Sequence, residues 1–514
     1  MLLVEDIHWA DDAMLAFLEL LARWGEGPMV ILCLSRHELL EVRPGWAAGL
    51  PESTTIILEP LGAEASESLM QSLLGEGVSA ALKHRIANLA GGNPLFAEET
   101  ARMLVDDGTL RFEGGAWRLA RSVEQIDIPD SVHAVLAARL DSLPAGERRA
   151  AQLAAAVGRV FWDRLVAHLH GEGLDATGEQ LRGLRRKDLV MPREPSMLAG
   201  AREFAFRHVL ARDVAYESLS KLDRAQLHRD IARWAEVVLA DRIDEFIELI
   251  ASHLASAVAY EEEVSVLPAI ELRELHEQAF DAGLRAAQRA SSLGLSDHAC
   301  SWYGQVIDLA QKLERPARDI AQLAEEDIQS HSSLSRPDHV PRLSRAISDF
   351  EAAAELTDED EELLASLRSA QAQALDATGD AAGARALLRE GIARLEDGRA
   401  SSGRARMRRT LGRSYWLHGP AEKAEPVLEM AIAEARAADD DEAERWAIHD
   451  LGIARGVIGR DDAIELVEQS YELALEAGDR ALIHRCCNNL PSMRWDRMDA
   501  LEPIVAMTKE ALEF

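Results

Sequence analysis

The stretch Met1-Leu-Leu-Val-Glu-Asp-Ile-His-Trp-Ala-Asp-Asp12 decides how the first part of the chain folds. Four apolar residues lead directly into Glu5 and Asp6, and a helix-like pattern follows from Asp12 to Trp24. A short continuous apolar run is typical of a strand buried on both faces, as in a parallel sheet. Two acids then fall at the carboxyl end of that strand, where open α/β sheets bind ligands. The pattern therefore predicts a ligand-binding edge, with an ordinary acidic turn as the alternative.

Two further apolar runs extend this interpretation. Gly27–Arg36 is predicted to be a second buried strand that ends in Ser35 and Arg36, and Thr54–Leu58 is predicted to be a third. In a Walker B arrangement, one carboxylate holds Mg²⁺ and the next orients or deprotonates the attacking water. An arginine at a neighbouring strand end can sense a terminal phosphate, because its guanidinium makes bidentate contacts with phosphate oxygens.

The strings LLVEDIHWADD, VILCLSR, ILEPL and LAGGNPLFAEE occur in this order within the first hundred residues. Together they resemble the AAA-like signal-transduction ATPases with numerous domains, the STAND class. The resemblance is strongest to the bacterial multidomain regulators that carry nucleotide cyclase or LuxR-type output domains, and it covers roughly residues 1–260. It implies a nucleotide-binding domain that uses ATP or ADP with Mg²⁺. Glu5 and Asp6 would be the catalytic and metal-binding residues, and Arg36 would contact phosphate.

The sequence departs from this class at one essential motif. A P-loop, G-x-x-x-x-G-K-[ST], grips the phosphates through its backbone amides and its lysine. The chain has only six lysines, at positions 83, 187, 221, 312, 423 and 509, and none of them follows a glycine. We therefore expect this chain to be an internal piece of a longer regulator or a truncated product, and not to hydrolyse ATP by itself.

Two more candidate sites come from the resemblance. Gly92-Asn93-Pro94 matches a Gly-x-Pro motif that packs against adenine in the class, whereas the plain interpretation is helix punctuation, with Asn93 as N-cap and Pro94 at the first helical position. His208 follows the string Phe-Ala-Phe-Arg, and by analogy with apoptosome and plant-resistance ATPases it would contact the β-phosphate of ADP. The alternative is a partly buried histidine satisfied by a carbonyl or a carboxylate.

The last part of the sequence repeats itself. Gly379, Gly419 and Gly459 lie 40 residues apart, Asp499 falls one interval further on, and each glycine precedes an apolar helical pattern. A fixed period of paired helices predicts a solenoid, in which each unit buries its face against its neighbours. These repeats resemble tetratricopeptide repeats, and glycine at each turn is predicted to permit a left-handed bend. Because the chain ends at Phe514 inside a helical pattern, we expect a further repeat to be cut there.

Composition excludes several classes of function. A formal net charge of −33 disfavours nucleic-acid binding, since phosphate contacts require clustered basic residues. The four cysteines, Cys33, Cys300, Cys486 and Cys487, show no metal-ligand spacing and are predicted to be reduced, packed thiols. Acids occur by position 5, and no apolar run reaches the ~18 residues of a membrane span. The sequence predicts a cytoplasmic protein without membrane contacts.

The predicted fold class is mostly α, with a partial α/β P-loop-type NTPase domain, a winged helix and an α-solenoid of tetratricopeptide-like repeats. The predicted boundaries, in order, are 1–60 for the second half of the nucleotide-binding domain, 61–108 for a helical subdomain, 109–215 for the winged helix, 216–264 for linker helices and 265–514 for the repeats. The recognition region of the winged helix is not strongly basic, which disfavours DNA binding by this module. The resemblance to the STAND class implies instead that the module is a lever that packs on bound nucleotide.

Two functions remain open at this stage. The first is an ATP/ADP-switched signalling regulator, whose repeats bind a protein or small-molecule signal and whose output domain lies in cis. The second is a non-enzymatic helical-repeat scaffold for protein–protein interaction, which the missing P-loop favours. A stand-alone hydrolase is disfavoured, because no nucleophile elbow is present. The in-frame DNA upstream of Met1 discriminates between the first two, since only a regulator requires a strand followed by a P-loop there.

Overall fold

The structure is a computed structural model that describes all residues except 11, 26, 51, 121–125, 331–338, 353–355, 396–399 and 497–514. The chain divides into two compact units, residues 1–275 and residues 276–514. Asp499 and the end of the chain at Phe514 lie outside the described residues, so the predictions made for them are not tested. In the part of the chain described, no helix is both long and apolar enough to cross a bilayer.

The first unit begins with a small parallel sheet. Strand β1 (Leu2–Val4) pairs in parallel with β2 (Ile31–Cys33), and helix α1 (Asp12–Trp24) makes the crossover that parallel strands require. A short helix, α2 (Glu38–Val42), follows β2. One face of α1 packs into a core with Ile7 and Leu39. These elements confirm two of the three strands predicted for residues 1–60.

The prediction of a third strand at Thr54–Leu58 is wrong. Residues 54–58 have no strand partner, and Ile56, Ile57 and Leu58 are exposed. An apolar run becomes a strand only where a neighbouring strand accepts its hydrogen bonds, and the described sheet has only two strands. Side chains of both strands, including Leu3 and Leu32, are about half exposed, so the described strands are not buried on both faces as the apolar runs predicted.

A helical subdomain follows. Helices α3 (Ala63–Leu74), α4 (Ala80–Ala90) and α5 (Pro94–Asp106) pack around Met70, Leu82 and Phe96. The hairpin of β3 (Leu110–Glu113) and β4 (Ala116–Leu119) follows. Its turn uses Gly114 and Gly115, which both have positive φ.

The next segment combines four helices with a three-stranded antiparallel sheet in the order β5-β7-β6. Its elements are α6 (Val132–Asp141), α7 (Ala145–Val157), β5 (Val160–Trp162), α8 (Asp163–His170), α9 (Leu174–Arg186), β6 (Val190–Arg193) and β7 (Glu203–Phe206). Strands β6 and β7 pair in an antiparallel arrangement, with Val190 opposite Phe206. Strand β5 contains Phe161 and Trp162, whose β-favouring side chains complete the sheet and are buried. The assignment to the winged-helix class stays a prediction.

Four helices continue the chain beyond the sheet. They are α10 (Val209–Glu217), α11 (Lys221–Val238), α12 (Ile247–Val264) and α13 (Ala269–Ser292), with a 3₁₀ helix at Ala240–Glu245. Helices α11 and α12 pack closely against each other along apolar faces that include Ile231 and Leu254.

The second unit is built from helices in succession, and each packs on its sequence neighbours. They are α14 (Ser296–Lys312), α15 (Ala317–Gln329), α16 (His339–Ala352), α17 (Asp358–Ala377), α18 (Ala381–Arg394), α19 (Ser402–His418), α20 (Ala424–Ala437), α21 (Asp441–Val457), α22 (Ala463–Ala477) and α23 (Arg480–Asp496). The first helices of consecutive pairs also touch, α17 with α19, α19 with α21 and α21 with α23. Paired helices that bury their faces against the next pair confirm a helical-repeat fold.

Glycines allow the close packing within these pairs. A Cβ on Gly412 would lie 2.5 Å from Leu428 Cγ, and a Cβ on Gly452 would lie 2.6 Å from Val467 Cγ2. Gly459 adopts the predicted left-handed turn with φ +76°. Gly419 does not, because its φ is −150°. The next residue is Pro420, whose ring favours extended backbone in the residue before it.

Candidate functional site

The acidic edge lies at the carboxyl ends of β1 and β2, as predicted. Val4 is the last residue of β1, and Glu5 and Asp6 follow it directly. Asp6 has a left-handed backbone (φ 58°, ψ 33°), which turns the chain sharply after the strand. The Ile7 N–H then donates to Leu34 O at 3.1 Å and ties this turn to the end of β2.

Arg159 neutralises both acids. Its Nη1 donates to Asp6 Oδ2 at 2.9 Å, and its Nη2 lies 3.1 Å from Glu5 Oε2. The planar guanidinium fork suits two adjacent carboxylates. Arg159 immediately precedes β5, so this contact links the acidic edge to the three-stranded sheet. The three side chains are 36–50% exposed, and the pair is therefore screened by solvent.

Arg36 lies at the same edge but does not face the acids. Its backbone N–H donates to His8 Nδ1 at 3.4 Å, and its guanidinium lies 5.7 Å from the centroid of the Trp9 ring. Trp9 is 64% exposed, and the centroid of its ring lies 4.8 Å from that of His8. The phosphate-sensing role of Arg36 stays a prediction.

The residues present do not fit Mg²⁺-ATP on their own. Two carboxylates match the usual protein share of an Mg²⁺ site, in which substrate phosphates and waters supply the other ligands. However, the described residues contain no group of three or more His, Cys, Asp or Glu side chains that could hold a metal ion. No lysine follows a glycine in the whole sequence, so a P-loop is missing as well. Any phosphate-gripping loop must come from outside these 514 residues.

The Gly92-Asn93-Pro94 turn has a clear structural role. Asn93 Oδ1 accepts from the Leu95 N–H at 3.0 Å and the Phe96 N–H at 3.3 Å, and Pro94 opens α5. Gly92 has φ +82°, and its carbonyl accepts from the Leu61 N–H at 2.9 Å. A Cβ here would lie 2.6 Å from Leu61 O, so only glycine admits the passing chain. The helix-punctuation interpretation is confirmed, and the contact with adenine stays a prediction.

His208 is not satisfied in the way that the plain interpretation required. It is the N-cap residue of α10 but makes no capping hydrogen bond, and its Nε2 is buried without a partner among the described residues. Burial lowers the pKa of His208, with a partial opposing effect from the Glu99 charge. The unpartnered Nε2 of His208 can form a hydrogen bond with a polar ligand.

The structure does not bring all seven predicted residues into one site. Among the described residues, no hydrogen bond or ion pair joins the group of Glu5, Asp6 and Arg36 to the group of residues 92–94 and His208. The two groups are connected indirectly, because the Phe206 N–H donates to Arg159 O at 2.9 Å. Arg159 thus binds the acids through its side chain and the strand that leads to His208 through its backbone.

Sequence reasoning missed the charged network beneath these groups. Arg139, 1% exposed, pairs with buried Glu99 and with Asp106 at 2.9 Å, and its Nη2 donates to Lys187 O at 2.7 Å. This network joins α5 to α6 and to the end of α9. The sequence does contain a signal for this buried ion pair, because an acid and an arginine occur on helix faces that are otherwise apolar. Such residues are rarely buried unless they are paired.

The second unit also offers a candidate binding surface. A cavity of about 310 Å³ lies between α18, α19 and α20, with Arg389 and Arg408 beside Ile392, Leu411 and Met430. Both arginines already have partners, Tyr415 for Arg389 and Glu434 for Arg408. The cavity is therefore mainly an apolar recess.

Residues 62–118 match a family described as a domain of unknown function, DUF8739. No curated protein matches the sequence.

Several solved structures show partial likeness. One is a Signal Transduction ATPase with Numerous Domains (STAND) protein with a tetratricopeptide repeat sensor from Pyrococcus horikoshii, at 11% identity and TM-score 0.33, covering 99% of this chain and 79% of that one. Another is a Rap protein complexed with competence and sporulation factor, at 11% identity and TM-score 0.33, covering 88% and 99%. A third is aspartyl phosphate phosphatase F from Bacillus subtilis, at 10% identity and TM-score 0.32, covering 89% and 96%. TM-scores of this size do not establish a shared fold, so the helical-repeat assignment rests on the helix pairing within this chain.

Proposed function

We propose that this chain is part of a signalling regulator of the STAND type, in which an acidic strand end and a helical-repeat arm act on one another through the intervening domains. The observation that carries the proposal is the double ion pair of Arg159 with Glu5 and Asp6. In this proposal the acids belong to a nucleotide site completed by a P-loop from elsewhere, and the repeats bind a protein or small-molecule signal.

The chain's own residues provide a route for such coupling. Removal of the carboxylate charge would weaken the contacts of the Arg159 guanidinium with Glu5 and Asp6. Another cation that binds these carboxylates would compete with the guanidinium. Arg159 is bonded through its backbone to Phe206, two residues before His208 and α10. A shift at the acidic edge therefore acts on the start of α10, which packs on α6 and α7.

The second candidate is a non-enzymatic scaffold. The lack of a P-loop supports this candidate. Arg159 supports it as well, because an ion pair with Arg159 is enough to explain the presence of two acids at this strand end without a nucleotide. In that case the repeats are the functional part, and residues 1–60 serve only as packing. The two candidates differ in whether nucleotide affects the protein.

Nucleotide binding tests the proposal. The 514-residue chain should not turn over ATP. A longer version that includes the in-frame upstream codons should bind ADP or ATP with Mg²⁺, and Asp6→Asn should weaken binding about tenfold or more, as loss of a charged ligand does. Glu41→Gln, an exposed acid on α2, is the matched control and should leave binding unchanged.

Two results would reject the regulator and leave the scaffold. One is the absence of a P-loop in the upstream frame. The other is nucleotide binding in the longer chain that does not respond to Asp6→Asn.

A further inference from the structure

Helix α19 departs from the acidic character of the chain. It carries five arginines and no acid, whereas the chain as a whole has a formal net charge of −33. Three of these arginines are matched by acids nearby. Arg404 and Arg408 both pair with Glu434, and Arg406 Nη2 lies 3.3 Å from Asp440 Oδ2.

The other two face α21 and α23. Arg409 Nε lies 3.1 Å from Asp450 Oδ2, and its guanidinium lies 4.9 Å from the centroid of the Trp446 ring. Arg485 on α23 lies 5.7 Å from the same ring. Arg413 makes no hydrogen bond or ion pair among the described residues, and its Nε is buried without a partner. We refer to Arg409, Arg413 and Arg485 as the arginine cluster.

Asp450 cannot balance this cluster, because one carboxylate offsets only one of the three guanidinium charges. It accepts from His449 Nδ1 at 3.1 Å, and Asn489 Nδ2 donates to His449 Nε2 at 3.0 Å, which fixes the tautomer of the ring. Burial acts to raise the pKa of Asp450, but the His449 hydrogen bond and the Arg409 charge lower it to about 2. Asp450 is thus a single fixed carboxylate facing three guanidinium groups.

The cluster therefore holds uncompensated positive charge. Burial lowers the pKa of Arg485, and the nearby charge of Arg413 lowers it further. Asp376 on α17 also interacts with the charge of Arg413, but it accepts from Ser414 Oγ at 3.0 Å and forms no ion pair with that arginine. Partly desolvated cations that repel one another are stabilised by an external anion.

We propose that the arginine cluster binds carboxylates of an acidic peptide segment in a protein partner. Guanidinium groups bind carboxylates in bidentate geometry, and the half-buried Trp446 ring offers an apolar surface beside them. Charge complementarity selects the occupant. A chain of net charge −33 repels an extended polyanion such as nucleic acid, whereas a short acidic segment needs only this local site. This inference rests on the proposed function, since it names the partner of the repeat arm.

The test uses the full chain and a short fluorescent peptide with consecutive glutamates, followed by anisotropy. The peptide should bind, and the same peptide with glutamines should not. Arg413→Gln and Arg485→Gln should each weaken binding about tenfold, and Arg413→Lys should weaken it less, because it keeps the charge. Arg436→Gln on α20 makes the same charge change outside the cluster and should have little effect. Circular dichroism of each variant checks that the helices remain folded.

Three results would overturn the inference. The first is equal binding of the glutamine peptide. The second is that Arg413→Gln and Arg485→Gln bind the glutamate peptide as tightly as the unchanged chain and the Arg436→Gln control do. The third is displacement of the peptide by inorganic phosphate at equal concentration, which would make the cluster a general oxyanion site. None of these results depends on nucleotide, so failure here leaves the test of the proposed function intact.

Discussion

Arg139→Met is expected to destabilise the first unit by about 3–5 kcal/mol, because it leaves the buried charge of Glu99 without its partner. Both side chains are almost fully buried, and Arg139 also holds Asp106 and the Lys187 carbonyl. Three acceptors, two on α5 and one at the end of α9, thus lose a common donor. Hydrogen exchange in α5 and α6, measured under conditions where it reports opening free energy, gives the change.

A double replacement separates the role of charge from that of shape. Glu99→Leu combined with Arg139→Met removes both charges and should recover a large part of the loss, because apolar replacement of a whole buried pair is often close to neutral. Arg182→Met breaks the exposed pair with Glu179 and should cost no more than about 1 kcal/mol. A cost below about 1 kcal/mol for Arg139→Met would show that the network does not hold these helices together.

The stability of the first unit is expected to fall steeply as the pH drops below about 6.5. His228 and His253 are buried between α11 and α12, with their Nδ1 atoms 2.7 Å apart. Tyr216 Oη lies 2.7 Å from His228 Nε2 and donates to Tyr260 Oη at 3.1 Å. In the tautomers that satisfy this chain, His253 Nδ1–H donates to His228 Nδ1. A proton on His228 Nδ1 would turn that contact into two opposed donors.

The sign of the pH effect follows from the direction in which the pKa values of the two histidines are shifted. Burial, with the added repulsion of His253, lowers the pKa of His228 to about 3, and burial lowers that of His253 to about 4. The nearby charges of Arg212 and Arg224 act on His228 in the same direction. The unfolded chain binds these protons near pH 6.5 and the folded chain does not. The contribution of these two histidines to the free energy of unfolding is therefore fully present above about pH 7. It is lost at about 1.4 kcal/mol per pH unit for each histidine as the pH falls towards 4.

Variants isolate these two groups from the rest of the chain. The double variant His228→Asn, His253→Asn should be less stable at pH 7 but should lose most of the slope between pH 7 and 5, where most carboxylates remain ionised. His208, whose pKa is also lowered, keeps a residual slope. His37→Gln replaces an exposed histidine and should retain the full slope. The slope of stability against pH is measured by hydrogen exchange in α11 and α12. If the double variant keeps the full slope, the two histidines have the same protonation in the folded and the unfolded chain.

Local signals allowed much of the fold to be predicted from the sequence. Asn93 and Pro94 mark a helix start through their own backbone chemistry, so its prediction needs no distant residues. The paired helices of the second unit follow from a period that repeats along the chain. Thr54–Leu58 failed because a strand needs a partner that the local sequence does not specify.

The candidate sites were predictable only in part, for a similar reason. Glu5 and Asp6 are recognisable from the strand before them, but their partner Arg159 is more than 150 residues away in the sequence. The same holds for Glu99 with Arg139 and for His228 with His253, whose pairing depends on how helices pack. The arginine cluster had a visible signal in the run of arginines from Arg404 to Arg413, but its convergence with Arg485 requires the repeat fold.

The coupling of the acidic edge to the domain that carries His208 is tested most directly by a double-mutant cycle of Asp6→Asn and Arg159→Gln, read by hydrogen exchange in residues 203–216. Each single variant should speed exchange there about two- to fivefold, as expected for an ion pair that is partly exposed. The double variant should add little to either, which would give a coupling free energy of about 0.5–1 kcal/mol. Additive effects, or exchange in residues 203–216 that does not respond to either variant, would contradict the proposed link.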